Sequence, residues 1–266
     1  MSARDLKSTN GFLLSDFKYL MAYSIPLTAL IGFYLGSYWL FTTPFYIFVI
    51  IPIVEFLLTR YGIDELETHR AEKGIHWLFD LMLYLNILIV FGLLIYSLTK
   101  IVSFEFMSIE FLGSLLSFGL VLASNGINVA HELCHRNKTF ERFLGKFLLI
   151  PSLYMHFYLE HNYGHHLKVA TKEDPVTAKY NEPLYSFWIS AIIGELFGAI
   201  DIQKNMLSRK NKSFFSFYND MFWYLIIQLS YILLIFILFG IKGLTFCLLA
   251  ALFSCLLYTS PSPRDQ

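Results

Sequence analysis

Five histidines in two tight groups carry the chemistry open to this sequence: His131 and His135 in H-E-L-C-H, and His161, His165 and His166 in H-N-Y-G-H-H. Imidazole is the commonest metal ligand among side chains and suits iron, copper, nickel and zinc. A closed tetrahedral zinc site takes four ligands, so five predict a larger site with room for two metals. Residues four apart lie one turn above each other on one helix face. His131 with His135, and His161 with His165, are therefore expected to share faces, with His166 adding a ligand rotated around the helix. Glu132 and Glu160 flank the ligands. Carboxylates so placed hold the second ring N–H of a ligating histidine or complete the metal shell.

H-E-x-x-H alone is also a zinc-protease signature, in which the Glu is a general base and zinc activates water. The second group weighs against that reading, because such a protease needs one further ligand and not three. A lone interfacial histidine is ordinarily a satisfied polar group, whereas burying five clustered rings requires partners. His69, in the charged loop Asp64–Lys73, reads as solvated, and His76 as a cap on an apolar span. His156 stays open between a place behind the ligands and the surface of an interfacial helix. Asp80 reads as solvated at the interface, and Glu55 stays open. Gly113, Ser117, Val121, Ser124 and Asn128 recur at helical spacing ahead of His131 and His135. That stripe is either close helix packing or a slender track toward the metal.

The elements that must position these groups are membrane spans. Of 266 residues, 56% are hydrophobic and 18% aromatic, and the mean hydropathy is +0.55. Charged residues make up 15%, against the roughly 25% of a soluble domain. We expect an all-α polytopic membrane protein. Six apolar runs approach or exceed the bilayer requirement: Tyr19–Phe41, Phe45–Thr59, Leu78–Leu98, Ile109–Asn128, Phe222–Phe239 and Leu244–Tyr258. Thr42-Thr43-Pro44 reads as a hairpin between the first two. Phe143–Glu160 and Leu184–Gln203 are expected to be interfacial helices around the second histidine group. With a cytoplasmic N-terminus, 18 Lys and Arg fall on the cytoplasmic side and only Lys100 and Lys242 outside. Both histidine groups then face the cytoplasm. Net charge is zero and no polybasic cluster occurs, so nucleic acid is not an expected partner. Cys134, Cys247 and Cys255 form no C-x-x-C pair, which argues against a disulfide framework and against a rubredoxin-type iron centre in this chain. No cleavable signal peptide is evident. Residues 1–258 read as a single domain, and 259–266 as a non-native tail.

H-E-L-C-H-R at His131–Arg136, E-H-N-Y-G-H-H at Glu160–His166 and A-T-K-E-D-P at Ala170–Pro175 closely resemble the membrane alkane monooxygenases of the fatty acid desaturase and hydroxylase superfamily. In that family H-x-x-x-H is followed by H-x-x-x-H-H, as here, whereas acyl-CoA desaturases usually show H-x-x-x-x-H and then H-x-x-H-H. The resemblance implies a non-haem enzyme with two iron ions, inserting one atom of O2 into the terminal C–H of an n-alkane to give a 1-alkanol. Electrons would come from a separate rubredoxin, at the inner membrane. It implies His131, His135, His161, His165 and His166 as iron ligands, with Glu132, Glu160, His156 and Asp174 around them. Two further motifs of the family, N-Y-x-E-H-Y-G and H-S-D-H-H, do not occur in this sequence. The resemblance therefore covers the N-terminal two-thirds of such an enzyme, and this chain by itself is expected to be inactive. Rival readings are a fatty-acyl or sterol desaturase or hydroxylase and, from another class, a histidine-rich membrane metal transporter.

Overall fold

The structure is a computed structural model that describes residues 20–60, 76–171 and 173–260. His69 with the whole loop Asp64–Lys73, and the residues after Ser260, lie outside these, and the side chain of His76 is likewise not described. Among the described residues there is no strand. Helices α1 (Ser24–Leu35), α2 (Ser37–Arg60), α3 (His76–Ile101), α4 (Ile109–His135), α5 (Thr139–Leu148), α7 (Leu184–Arg209) and α8 (Asp220–Thr259) form the frame. Between α5 and α7, α6 runs without interruption through Phe157–Glu160, His161–His165 and His166–Lys168. Five of these helices are long and apolar enough to cross a membrane: α2, α3, α4, α7 and α8. Leu225, Leu229, Leu233 and Ile237 of α8 point outward uncovered, an apolar row of the kind that faces lipid.

The breaks between spans fall where backbone chemistry puts them. The first two apolar runs separate at Gly36 (φ 71°), not at Thr42-Thr43-Pro44. Glycine takes that left-handed conformation without a Cβ penalty. Pro44 instead sits in the first turn of helix Thr42–Phe45, where a missing N–H costs nothing. Pro52 would clash with the carbonyl four residues earlier, and α2 absorbs it with a π turn at Tyr46–Ile50. The last two apolar runs part where they were expected to, at Gly240 (φ 62°, ψ −161°), a kink within the helical stretch Asp220–Thr259. Just past that break the Lys242 ammonium donates to the carbonyl of Phe104 at 2.7 Å, satisfying an end of the α3–α4 turn.

Leu184–Gln203, read as interfacial, is part of a 26-residue helix that by length and composition alone could also span. Phe143–Glu160 is not one helix: α5 ends at Leu148 and irregular turns lead to α6.

The core lies around α4, the most buried of the candidate spans. Phe111 and Phe118 of α4 pack on Phe246 of α8 at 6.1 and 5.7 Å between ring centroids. At Gly113 and Ser117 the small-residue stripe is filled by α2: a Cβ on Gly113 would stand 2.9 Å from the Leu40 side chain, and Ser117 Oγ donates to the Leu40 carbonyl at 2.5 Å. At these two positions the stripe serves close packing. Asn125 Nδ2 donates to Asn86 Oδ1 at 2.8 Å and to the Ala22 carbonyl at 3.1 Å, tying α3 and the start of α1 to α4.

Candidate metal centre

His131 and His135 occupy the last turns of α4, one helical turn apart as their spacing requires. A π segment at Leu122–Ile127 precedes them and rotates the end of the helix relative to its packed first half. Helix α5 clamps that end. A Cβ on its Gly145 would lie 2.8 Å from Cys134 Sγ and 3.0 Å from the Ala130 carbonyl, so only glycine permits the approach. Arg136, next in sequence, pairs with Asp80 at 3.4 Å and Glu132 at 3.1 Å. The Glu132 side chain is 54% exposed and engaged with that guanidinium.

The second group departs from α-helical register. His161–His165 is a π segment, so residues five apart, not four, come onto one face. His161 and His166 therefore converge, with Nε2 atoms 3.1 Å apart. His135 Nε2 lies 3.1 Å from His161 Nε2 and 3.3 Å from His166 Nε2. The His131 ring stands edge-on to His161 at 4.4 Å between centroids. One ligand nitrogen from each of His131, His135, His161 and His166 falls within 4.8 Å of all the others. Nitrogens bound about 2.1 Å from one metal stand about 3.0–3.4 Å from each other. Three imidazole nitrogens mutually this close cannot all be joined by pairwise hydrogen bonds, whereas one cation satisfies them together.

His165 stands outside that four-nitrogen group, its ring stacked on His161 at 5.3 Å. Its Nδ1 meets Asp174 Oδ2 at 2.9 Å. The carboxylate is fixed in turn by the Thr177 hydroxyl at 2.5 Å and the Val176 N–H at 3.3 Å. The Asp174 side chain is fully buried. A carboxylate holding Nδ1–H sets the tautomer and leaves Nε2 as the basic atom, the usual arrangement behind a metal-binding histidine.

Burial, then the neighbouring imidazoles, push the His161 pKa down to about 2, and His166 is lowered by the same causes in the same order. Both rings are held neutral, the form that binds metal. Burial of the carboxyl, then the charge of Asp174, push Glu160 up to about 7. Glu160 is 2% exposed, and its Oε2 has no hydrogen-bond partner. His156 lies apart from the cluster, edge-on to Tyr154 at 5.0 Å, with Nε2 buried and unpartnered. Burial lowers its pKa to about 4.

A profile for the fatty acid desaturases matches residues 108–260, more than half of the sequence and all five histidines of the two groups. The chain belongs to the fatty acid desaturase family. Similar members of known activity are alkane 1-monooxygenases. One from Ectopseudomonas oleovorans is 40% identical over 49% of this chain and 32% of its own length. Alkane 1-monooxygenase 1 of Alcanivorax borkumensis is 32% identical over 73% of this chain and 49% of its own. A xylene/toluene monooxygenase hydroxylase component from Pseudomonas putida is 28% identical over 78% of this chain and 56% of its own. The desaturase-family chain thus spans between about a third and just over half of these relatives' length. In it, the pair that sequence reasoning missed is Tyr154 and Glu195. The Tyr154 hydroxyl donates to the Glu195 carboxylate, and both are buried at the 2% level. Glu195 sits on α7, and an acid in the middle of an apolar run was the available signal.

Proposed function

We propose that this protein is the membrane-embedded, iron-binding part of an alkane 1-monooxygenase, converting n-alkanes to 1-alkanols with O2 and electrons from a separate rubredoxin. The observation that carries the reading is the four-histidine cluster with His165 and Asp174 beside it, at the edge of an apolar helical bundle. His131, His135, His161 and His166 would hold one iron. His165, its Nε2 freed by Asp174, would be offered to a second. Iron, when bound, supplies the O2 activation that no side chain can provide.

The chain's own residues do the rest. Neutral imidazoles meet the metal without first shedding protons. Asp174 fixes the direction of the His165 lone pair. The Phe157 ring, 4.6 Å from His161 and stacked on it, keeps water from that ligand's inner face. An alkane has no polar handle, so its binding rests on apolar burial, worth about 0.8 kcal/mol per CH2, and the bilayer already concentrates it. The excess of Lys and Arg on the histidine side supports a cytoplasmic centre at the inner membrane, within reach of reduced carriers. Residues 1–258 are read as one domain.

The test is to supply cells expressing the whole gene, with rubredoxin and its reductase, with hexadecane, octane or p-xylene under 18O2. Labelled 1-alkanol supports the reading. Labelled methylbenzyl alcohol alone would favour a xylene-type hydroxylase instead, and desaturated acyl chains alone would sink both.

A further inference from the structure

We propose that the loop joining α7 to α8, residues 210–219, is an interfacial foot that binds anionic phospholipid in the leaflet where α8 begins. The loop reads K-N-K-S-F-F-S-F-Y-N, and Arg209 closes α7 immediately before it. Arg209, Lys210 and Lys212 are exposed, and among the described residues none of them has an ion-pair partner. The acid that follows, Asp220, stands in the first turn of α8. From Arg209 to Asp220 the chain thus carries three positive charges against one negative. Beside these cations stand three bare aromatic rings: Phe215 is 96% exposed, Phe217 77% and Tyr218 67%. Apolar surface this open marks a place where something else docks.

Three observations name the bilayer surface as the occupant. The first is continuity. The rings lead directly into exposed Phe222 and Trp223 of α8, and these into Leu225 and Leu229 of its apolar row. Aromatic side chains gather where a span leaves the hydrocarbon. The second is charge. Lys212 Nζ stands 4.6 Å from the centre of the Tyr218 ring, so cation and aromatic ring share one level. That is the level at which lipid phosphates lie above the apolar boundary, and cations beside a span draw anionic lipid. The third is the backbone, because unsatisfied polar groups are expensive to bring into a bilayer. Asn219 Nδ2 donates to the Phe214 carbonyl at 2.7 Å, and Trp223 Nε1 to the Phe217 carbonyl at 2.9 Å. The Ser213 and Ser216 carbonyls accept from the N–H groups of Ser216 and Asn219 at 3.1 and 3.0 Å. Asn219, 2% exposed, also caps α8 by accepting from the Met221 N–H at 2.9 Å. The loop is thus held from within while its rings turn outward. A soluble acidic partner would match the cations but not a row of rings continuous with the lipid face. The inference rests on the membrane placement of α8 and not on the hydroxylase reading.

The experiment reconstitutes the full chain in phosphatidylcholine bilayers with a trace of spin-labelled phosphatidylglycerol or, separately, spin-labelled phosphatidylcholine. Electron paramagnetic resonance reads the fraction of each label held at the protein. The expected result is a preference for phosphatidylglycerol of about twofold or more, falling to near parity when Arg209→Gln, Lys210→Gln and Lys212→Gln are combined. All three positions are exposed, so the variant keeps the fold, and an unchanged thermal midpoint checks this. A second measurement places a spin label on Phe215→Cys, the native cysteines being buried. That label should collide more with O2, which concentrates in lipid, than with a water-soluble nickel chelate, and a label on Lys210→Cys should show the reverse. Equal association of the two lipids with the unaltered chain, or a preference that the triple variant keeps, overturns the proposal. A Phe215 label as wet as the Lys210 label overturns it too and gives this face to a soluble acidic partner. None of these outcomes bears on whether the protein hydroxylates alkanes.

Discussion

At the scale of the residue, the question is which groups hold a metal and which hold the holders. Asp174 is a positioning residue: it touches His165 Nδ1 and no other member of the cluster. Asp174→Asn keeps the shape but replaces a charged acceptor with an amide that also presents N–H groups. Removing such partners ordinarily weakens metal binding by about 10- to 100-fold. We expect that loss in iron affinity, measured by competition with a chelator, in a chain that still folds. His161→Ala, by contrast, removes the nitrogen common to the two shortest contacts and should leave no specific iron. His156 gives a pH prediction. Its folded pKa is about 4 against an ordinary 6.5, so between those values the unfolded chain binds more protons. Stability is therefore fully present above about pH 6.5 and falls as the pH drops toward 4. Glu160, raised to about 7, acts in the opposite sense over much of that window, so the His156 part is read by difference: metal-free His156→Phe in detergent, which keeps a ring without the titratable nitrogen, should lose less thermal midpoint between pH 6.5 and 4 than the unaltered chain, and an equal loss would show that burial of His156 does not contribute.

At the scale of the element, the two histidine groups show what a sequence reveals and what it hides. His131 and His135 were legible, because α4 is regular through its last turns and four-residue spacing means one face. For His161 and His165 the same rule misassigned the partner. The π segment brings His166, five residues on, into the cluster and turns His165 toward Asp174. No residue in that stretch demands a π turn, and only Gly164 hints at unusual backbone demands. A Cβ there would stand 2.6 Å from Glu160 Oε1 and 2.9 Å from Ile202 Cδ1. The helix break at Gly36 was missed for a related reason, whereas the one at Gly240 falls between the two runs that hydropathy separated. Glycine is common in membrane helices, and a positive φ is a tertiary outcome that local sequence does not announce. Element packing also makes a prediction. Gly145→Ala drives a Cβ into the Ala130 carbonyl and the Cys134 backbone nitrogen, atoms that cannot move without shifting α4. We expect a cost of about 1–3 kcal/mol, seen as a lower thermal midpoint, together with weaker iron binding because the His131–His135 turn is displaced.

At the scale of the whole molecule, the arrangement is a bundle with its chemistry gathered at one end. The α3–α4 turn and the Gly240 break lie together at the other end, joined by Lys242. Tyr258, at the end of α8, returns to the histidines, its ring 6.3 Å from that of His131. If α4 crosses the bilayer, Glu105 and the histidine cluster are on opposite sides; α7 lies along the cluster end, with Trp188 bonded to Ser260 after α8 and Ile202 beside Gly164, so Lys210 at its end is expected on the cluster's side. The native cysteines make this testable without removing them: Cys134, Cys247 and Cys255 are all free and buried, so they contribute little background with an impermeant thiol reagent. Glu105 and Lys210 are both exposed, so a cysteine at either place can react. In right-side-out vesicles Glu105→Cys should label and Lys210→Cys should not. In inverted vesicles the order should reverse. Both positions reacting from the same face would refute the crossing of α4, and the proposed cytoplasmic centre with it. A clean reversal with Lys210 outside would keep the bundle but put the histidines on the wrong side of the membrane for a cytoplasmic electron donor.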